Sequence, residues 1–143
     1  MFPQKTFTIL VADDDEEDRL LLEEAFTQNG LMGCGHFVEN GEQAMAYLLN
    51  GLQSTAGLPH LVILDINMPL KNGMETLQWI RSHPRLKNLP VLLLTSSSQE
   101  IERAYHLGAN SYLVKPMYFE DLIRMVGDVA LYWRDTVSLP TPE

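Results

Sequence analysis

The chain has 143 residues and carries nineteen Asp and Glu against ten Lys and Arg, a formal net charge of −9 with a pI near 4.8. Nucleic acid and anionic membranes are bound by clustered cationic side chains. Here the ten are scattered, so neither is an expected partner. The length suits one domain with a sizeable core. Cys34 is the only cysteine, which excludes an internal disulfide or a thiolate metal site. No apolar run approaches the roughly twenty residues of a membrane span. Asp13 to Asp15 interrupt the first thirty residues where a secretory leader would be apolar. The expected compartment is the cytoplasm.

The apolar, β-branched run from Phe7 to Ala12 reads as a strand that stops at three aspartates. Arg19 to Phe26 then follows a helical pattern. Gly35 to Val38 is a weak strand signal, and Gly41 to Leu49 reads as a helix followed by a polar loop from Asn50 to Leu58. Leu61 to Leu64 is continuously apolar, as a parallel strand covered on both faces must be, and it ends at Asp65. A loop with Pro69 and Gly73 precedes a helix reaching about His83, where Pro84 stops it. Pro90 to Thr95 repeats the buried-strand pattern, and Ser98 is placed to cap a helix over Gln99 to Leu107. Ser111 to Val114 forms a fifth strand ending at Lys115-Pro116, and Phe119 to Trp133 closes the series as a helix.

Five strands alternating with five helices imply an α/β fold, a doubly wound parallel sheet with helices on both faces. In the flavodoxin-like order 2-1-3-4-5, ligands bind at the carboxyl ends of the strands. The unusual polar residues fall at those ends: Asp13 and Asp14, Asp65, Thr95 and Lys115. Clustered carboxylates repel unless a hard cation sits among them, and Mg²⁺ suits an oxygen-only site that also takes a phosphate oxygen. Asp14 and Asp65 are expected to bind the metal directly, Asp13 to hold a metal-bound water, and the Asn67 backbone carbonyl to complete the protein's share. Asp65 is also the expected nucleophile toward phosphorus. Lys115 neutralises the equatorial oxygens, and the Thr95 hydroxyl binds the new phosphate. Asp15, Glu16 and Asp18 need no role beyond capping and the helix dipole.

The stretches Val11 to Asp15, Leu64 to Pro69, Gly73, Leu94 to Ser96 and Tyr112 to Pro116 together resemble the receiver domain of two-component response regulators. The resemblance spans nearly the whole chain. It implies Asp65 as phospho-acceptor, Asp13 and Asp14 as the acidic pair, Lys115 as phosphate partner, and Thr95 with Tyr112 as switch residues. It also implies a receiver over residues 1–133 with a tail from 134 to 143, and no appended output domain. His60, Ala12 and Asn72 depart from the commoner family choices without touching the pocket chemistry, and His60 reads as a surface strand-end residue.

A finer resemblance, carried by Asp65 to Pro69, the long loop before the third strand and the ending Tyr132 to Pro140, is to the small regulators paired with bacterial and cyanobacterial phytochrome histidine kinases. It implies such a kinase as partner and a homodimer through the fourth helix, fifth strand and fifth helix. In the last helix Phe119, Leu122, Ile123, Val126, Ala130 and Trp133 share one stripe. Met125, Val129 and Tyr132 lie partly off it and, with Val137 and Leu139, form a patch that needs a partner. Three other readings compete. An aspartate-nucleophile phosphohydrolase needs Asp-x-Asp, whereas Asn67 stands at the second position and an amide cannot protonate a leaving group. A flavin mononucleotide binder would meet repulsion from Asp13 to Asp15. A receiver-like interaction module that is never phosphorylated would have the same fold.

Overall fold

The computed structural model describes residues 7–140. Ten elements alternate along it: β1 (Ile9–Ala12), α1 (Glu16–Gln28), β2 (Gly35–Val38), α2 (Gly41–Leu52), β3 (Leu61–Leu64), α3 (Gly73–Ser82), β4 (Val91–Thr95), α4 (Ile101–His106), β5 (Ser111–Val114) and α5 (Phe119–Trp133). The strands form one parallel sheet in the order β2-β1-β3-β4-β5. This is the flavodoxin-like architecture expected from the sequence.

The alternating side-chain directions of the strands divide the core in two. Leu10, Ala12, Val62, Leu64, Val91 and Leu93 face one side, where Ala44, Leu48, Met74, Leu77, Ile80 and Ala104 of α2, α3 and α4 cover them. Ile9, Val11, Leu61, Ile63, Leu92 and Leu94 face the other, under Leu22, Ala25 and Phe26 of α1 and Leu122, Val126 and Ala130 of α5. Each large aliphatic side chain buried this way contributes about 1.5 to 3 kcal/mol. The fully apolar character of β1, β3 and β4 therefore follows from their position between two helical layers.

The helices start where polar side chains satisfy their first backbone N–H groups. Asp15 caps α1 by accepting from the Asp18 N–H, and Asn40 caps α2 by accepting from Gln43. Asn72 and Glu75 form a reciprocal capping box at α3, which gives the unusual Asn72 a structural reason. α5, whose N-terminal flank Tyr118 makes no side-chain cap bond, is one exception, and α4 is the other. α4 begins at Ile101, its N-terminal flank Glu100 makes no side-chain cap bond, and Ser98 does not cap it. Instead the Ser97 hydroxyl accepts from the Gln99 N–H at 3.2 Å, a local turn that competes with helix and delays its start.

Two further boundaries differ from expectation. β1 starts at Ile9, and α2 continues through Asn50 and Gly51 to Leu52. The helix needs glycine at position 51, because a Cβ there would come within 2.8 Å of the Gly57 carbonyl oxygen. On α5 the fully buried stripe is narrower than expected, comprising Leu122, Val126 and Ala130, while Phe119, Ile123 and Trp133 are half-buried. Among the described residues no helix is long and apolar enough to cross a membrane.

Candidate phosphoryl-acceptor site

Parallel pairing carries four strand ends to the same edge of the sheet. The Asp13 N–H donates to Val38 O at 3.1 Å, the Asp65 N–H to Ala12 O at 2.9 Å, and the Lys115 N–H to Thr95 O at 2.8 Å. The side chains just past β1, β3 and β5 are thus fixed by the ladder itself. Arg19 adds a brace, donating to the Asp13 carbonyl at 2.9 Å. Gly73 opens α3 directly against the acidic loop, and a Cβ there would overlap the Asp65 carbonyl oxygen.

Asp13, Asp14 and Asp65 come together as the sequence implied, each offering a carboxylate oxygen within 4.8 Å of the others. Asp13 and Asp65 are buried and Asp14 is exposed. The Lys115 ammonium sits among them, donating to Asp13 Oδ2 at 2.7 Å and Asp65 Oδ2 at 2.8 Å. A third carboxylate completes its shell, Asp18 Oδ2 at 2.9 Å. The sequence reading gave Asp18 only a helix-dipole role, so this contact is a correction. The signal that would have revealed it is direction. Side chains in a first helical turn lean back toward the N-terminus, and here that is the strand-end cluster.

Burial pushes the Asp13 carboxyl above its ordinary range, an effect only partly offset by its hydrogen bonds from Lys115 and the Asp15 N–H. Burial acts on Lys115 in the opposite sense, but the bonds to Asp13, Asp65 and Asp18 outweigh it and leave the ammonium held above the usual lysine value. A buried carboxylate that remains under-neutralised beside one lysine suits a further cation. The all-oxygen donor set of Asp13, Asp14 and Asp65 fits a hard divalent ion such as Mg²⁺. Asn67 lies exposed in the loop two residues beyond Asp65.

Thr95, the last residue of β4, is wholly buried, and its hydroxyl has no hydrogen-bond partner. Such a group costs about 1 to 3 kcal/mol unless something binds it. Tyr112 reaches from β5 across to the loop after β4, its hydroxyl donating to Ser97 O at 2.6 Å. Burial raises its phenol pKa, and the nearby charges of Glu100 and Asp65 act in the same direction. Ser97 was not singled out as its partner, since a carbonyl acceptor in a loop leaves no mark in the sequence. Leu70, in the loop after Asp65, holds a left-handed φ of 67°, a strained conformation for leucine. His60 lies far from this edge. It is half-buried rather than a simple surface residue, with Nδ1 accepting from the Thr8 N–H at 3.1 Å and its ring stacked on Phe7.

A doubly wound sheet bearing three clustered aspartates, a lysine and a buried threonine at its carboxyl edge is the arrangement of a receiver domain. The family comparison agrees: the model of the response regulator receiver domain matches residues 9–127, and the chain belongs to that family.

Among curated relatives, it is 35% identical to the response regulator Rcp1 of Synechocystis over 135 residues, 92% of each chain. It is 36% identical to the probable methanogenesis regulatory protein FilR2 of Methanothrix harundinacea over 138 residues, covering 95% of this chain and 89% of that one. Among solved structures, the phosphorylated cyanobacterial phytochrome response regulator RcpA superposes with a TM-score of 0.87 at 33% identity, covering 96% of this chain and all of the other. The Mn²⁺-bound form of Rcp1 superposes with a TM-score of 0.82 at 34% identity, covering 94% of this chain and 99% of that one.

Proposed function

We propose that this response regulator accepts a phosphoryl group on Asp65 from a sensor histidine kinase, with Mg²⁺ bound, and signals through a changed protein-binding surface. The observation that carries the reading is the buried, unpartnered Thr95 hydroxyl at the strand end beside the Asp65–Lys115 pair. A receptive donor of this kind stabilises the domain only when an anion arrives.

Asp13, Asp14 and Asp65, with the Asn67 carbonyl, would hold the ion, which supplies charge neutralisation to the transferring phosphoryl group. An Asp65 carboxylate oxygen forms the new bond to phosphorus. The phosphorus–nitrogen bond to the kinase histidine breaks, and its electron pair stays on the imidazole. Lys115 turns its ammonium to the phosphoryl oxygens, and Thr95 donates to one of them. Moving Thr95 toward the phosphate draws in the loop from Ser96 to Glu100, on which Tyr112 already holds Ser97. Thr95 and Tyr112 are therefore the switch. On this reading the chain is no enzyme toward other substrates, since it catalyses only its own phosphorylation and dephosphorylation.

Residues 1–133 form the receiver, and the tail from 134 to 143 joins a homodimer interface with α4, β5 and α5. A groove of about 470 Å³ between β5 and α5, lined by Leu113, Met125, Val129, Tyr132 and Trp133 among others, supports that surface. The likeness to regulators described as phytochrome-linked supports a phytochrome kinase as partner. The Mn²⁺-bound relative supports a divalent cation. We place the protein in the cytoplasm, without a nucleic-acid or membrane partner.

The test is gel-shift detection of phosphoryl incorporation from a small acyl-phosphate donor. Incorporation that needs Mg²⁺, is abolished by EDTA and is absent in Asp65→Asn supports the reading. A folded wild type that takes no phosphate favours the unphosphorylated interaction module.

A further inference from the structure

Lys115 Nζ has three N–H donors, and three different carboxylates take them: Asp13 at 2.7 Å, Asp65 at 2.8 Å and Asp18 at 2.9 Å. The three acceptors differ in what phosphoryl transfer does to them. Asp65 gives up its carboxylate charge when it forms an acyl phosphate, and the carbonyl oxygen it keeps is a weaker acceptor. Asp13 belongs to the oxygen cluster that suits a divalent cation, so it must divide its charge between that ion and the lysine. Asp18 lies outside the cluster, on the first turn of α1, and keeps its full charge throughout.

We propose that Asp18 is a positioning residue, which anchors the Lys115 ammonium at the pocket while Asp13 and Asp65 turn to other partners. This inference rests on the phosphoryl-acceptor reading above and deepens it.

The placement supports the anchoring role in three ways. Asp18 is fixed from its backbone, because its N–H donates to the Asp15 carboxylate at 3.0 Å and so ties its turn to the acidic loop. The next residue, Arg19, holds the Asp13 carbonyl and so locks the same turn to the end of β1. Finally, Asp18, Leu21, Leu22, Leu94, Lys115 and Pro116 line a small recess of about 50 Å³ between α1 and the end of β5. The lysine stem runs beside apolar side chains there, leaving its ammonium to be aimed by acceptors. With Asp18 gone, the ammonium would have no acceptor of constant charge once Asp65 is esterified.

The experiment compares Asp18→Ala and Asp18→Asn with the wild type in initial rates of phosphorylation by a small acyl phosphate with Mg²⁺. The same comparison is repeated in a Lys115→Met background. We expect Asp18→Ala to slow phosphorylation by roughly tenfold to a hundredfold, the range that misplacing one aligned group produces. Asp18→Asn should recover part of the rate, because its side-chain oxygen still accepts from an ammonium. In the Lys115→Met background, Asp18→Ala should change nothing, since Asp18 acts through the lysine. An unaltered rate in Asp18→Ala overturns the proposal, as does an equal loss with and without Lys115.

A second readout is independent of phosphorylation. The nitrogen-15 resonance of the Lys115 ammonium, sheltered from exchange by three acceptors, should exchange faster with water in Asp18→Ala. If the wild type takes no phosphate, the acceptor reading fails, and this signal alone decides whether Asp18 holds the lysine. Unchanged exchange refutes the anchor.

Discussion

Replacing Lys115 with methionine removes the only cation that contacts the buried carboxylates of the described residues. The Asp13 side chain is 3% exposed and that of Asp65 10%, so neither rehydrates when the ammonium goes. Asp18 is 39% exposed and does. Stranding a buried charge costs about 3 to 5 kcal/mol, but Asp13 has an escape, because it can take up a proton. From its ordinary value of 3.8, neutralising it costs at most about 4 kcal/mol at pH 7 and under about 2 kcal/mol at pH 5, at 1.36 kcal/mol per unit. Burial in the parent has already incurred part of this, which leaves a predicted loss of about 2 to 4 kcal/mol at pH 7. The sign follows from the direction of the shift. A carboxyl held above its unfolded value favours the folded state more in acid, and that advantage is lost as pH rises through the folded pKa. Urea unfolding of Lys115→Met in EDTA should therefore show a large deficit at pH 7 that shrinks by about half at pH 5, with an unchanged denaturant slope. A deficit under about 1 kcal/mol, or one equal at the two pH values, would mean that Lys115 does not neutralise the buried carboxylates.

Thr95→Val keeps the shape of a buried β-strand residue and deletes an unpartnered hydroxyl. It should raise the stability of the unphosphorylated protein by about 1 kcal/mol in thermal melts while abolishing the phosphorylation-dependent change in loop mobility. Tyr112→Phe loses the bond to the Ser97 carbonyl, and hydrogen exchange of the loop from Ser96 to Glu100 should accelerate. Above pH 10.5 the wild type should lose stability, because a raised Lys115 pKa contributes fully below the unfolded value and is lost as pH passes the folded one. Lys115→Met should flatten that part of an alkaline unfolding series. Gly73→Ala should destabilise by about 2 kcal/mol or more in urea, since its Cβ meets the Asp65 carbonyl rather than a flexible side chain.

The sheet was legible because its central strands are buried on both faces. Leu61 to Leu64 and Val91 to Thr95 have no polar side to present, and each stops abruptly at a polar residue. That same abruptness marked Asp65, Thr95 and Lys115. β5 shows the limit of the signal. It sits at the sheet edge, its residues are half-buried or exposed, and Ser111 to Val114 lacks the continuous apolar run of β3. α4 was misjudged because Ser97 and Ser98 satisfy cap and turn statistics equally well, and the choice between them is made by the loop. Asp18 was missed for a different reason. An acidic first turn is adequately explained by the helix dipole, and its contact with a lysine 97 residues away arises only from the topology. The pairing of Tyr112 with Ser97 was equally hidden, since its acceptor is backbone.

The site that phosphate reaches is the most direct test. Treating the donor-exposed protein with borohydride reduces an aspartyl phosphate to homoserine, and peptide mass mapping then locates it. Homoserine is expected at position 65, dependent on Mg²⁺, with Asp13, Asp14 and Asp18 unmodified. Phosphate mapped to another side chain, or none at all in a folded, Mg²⁺-loaded protein, would contradict Asp65 as the acceptor.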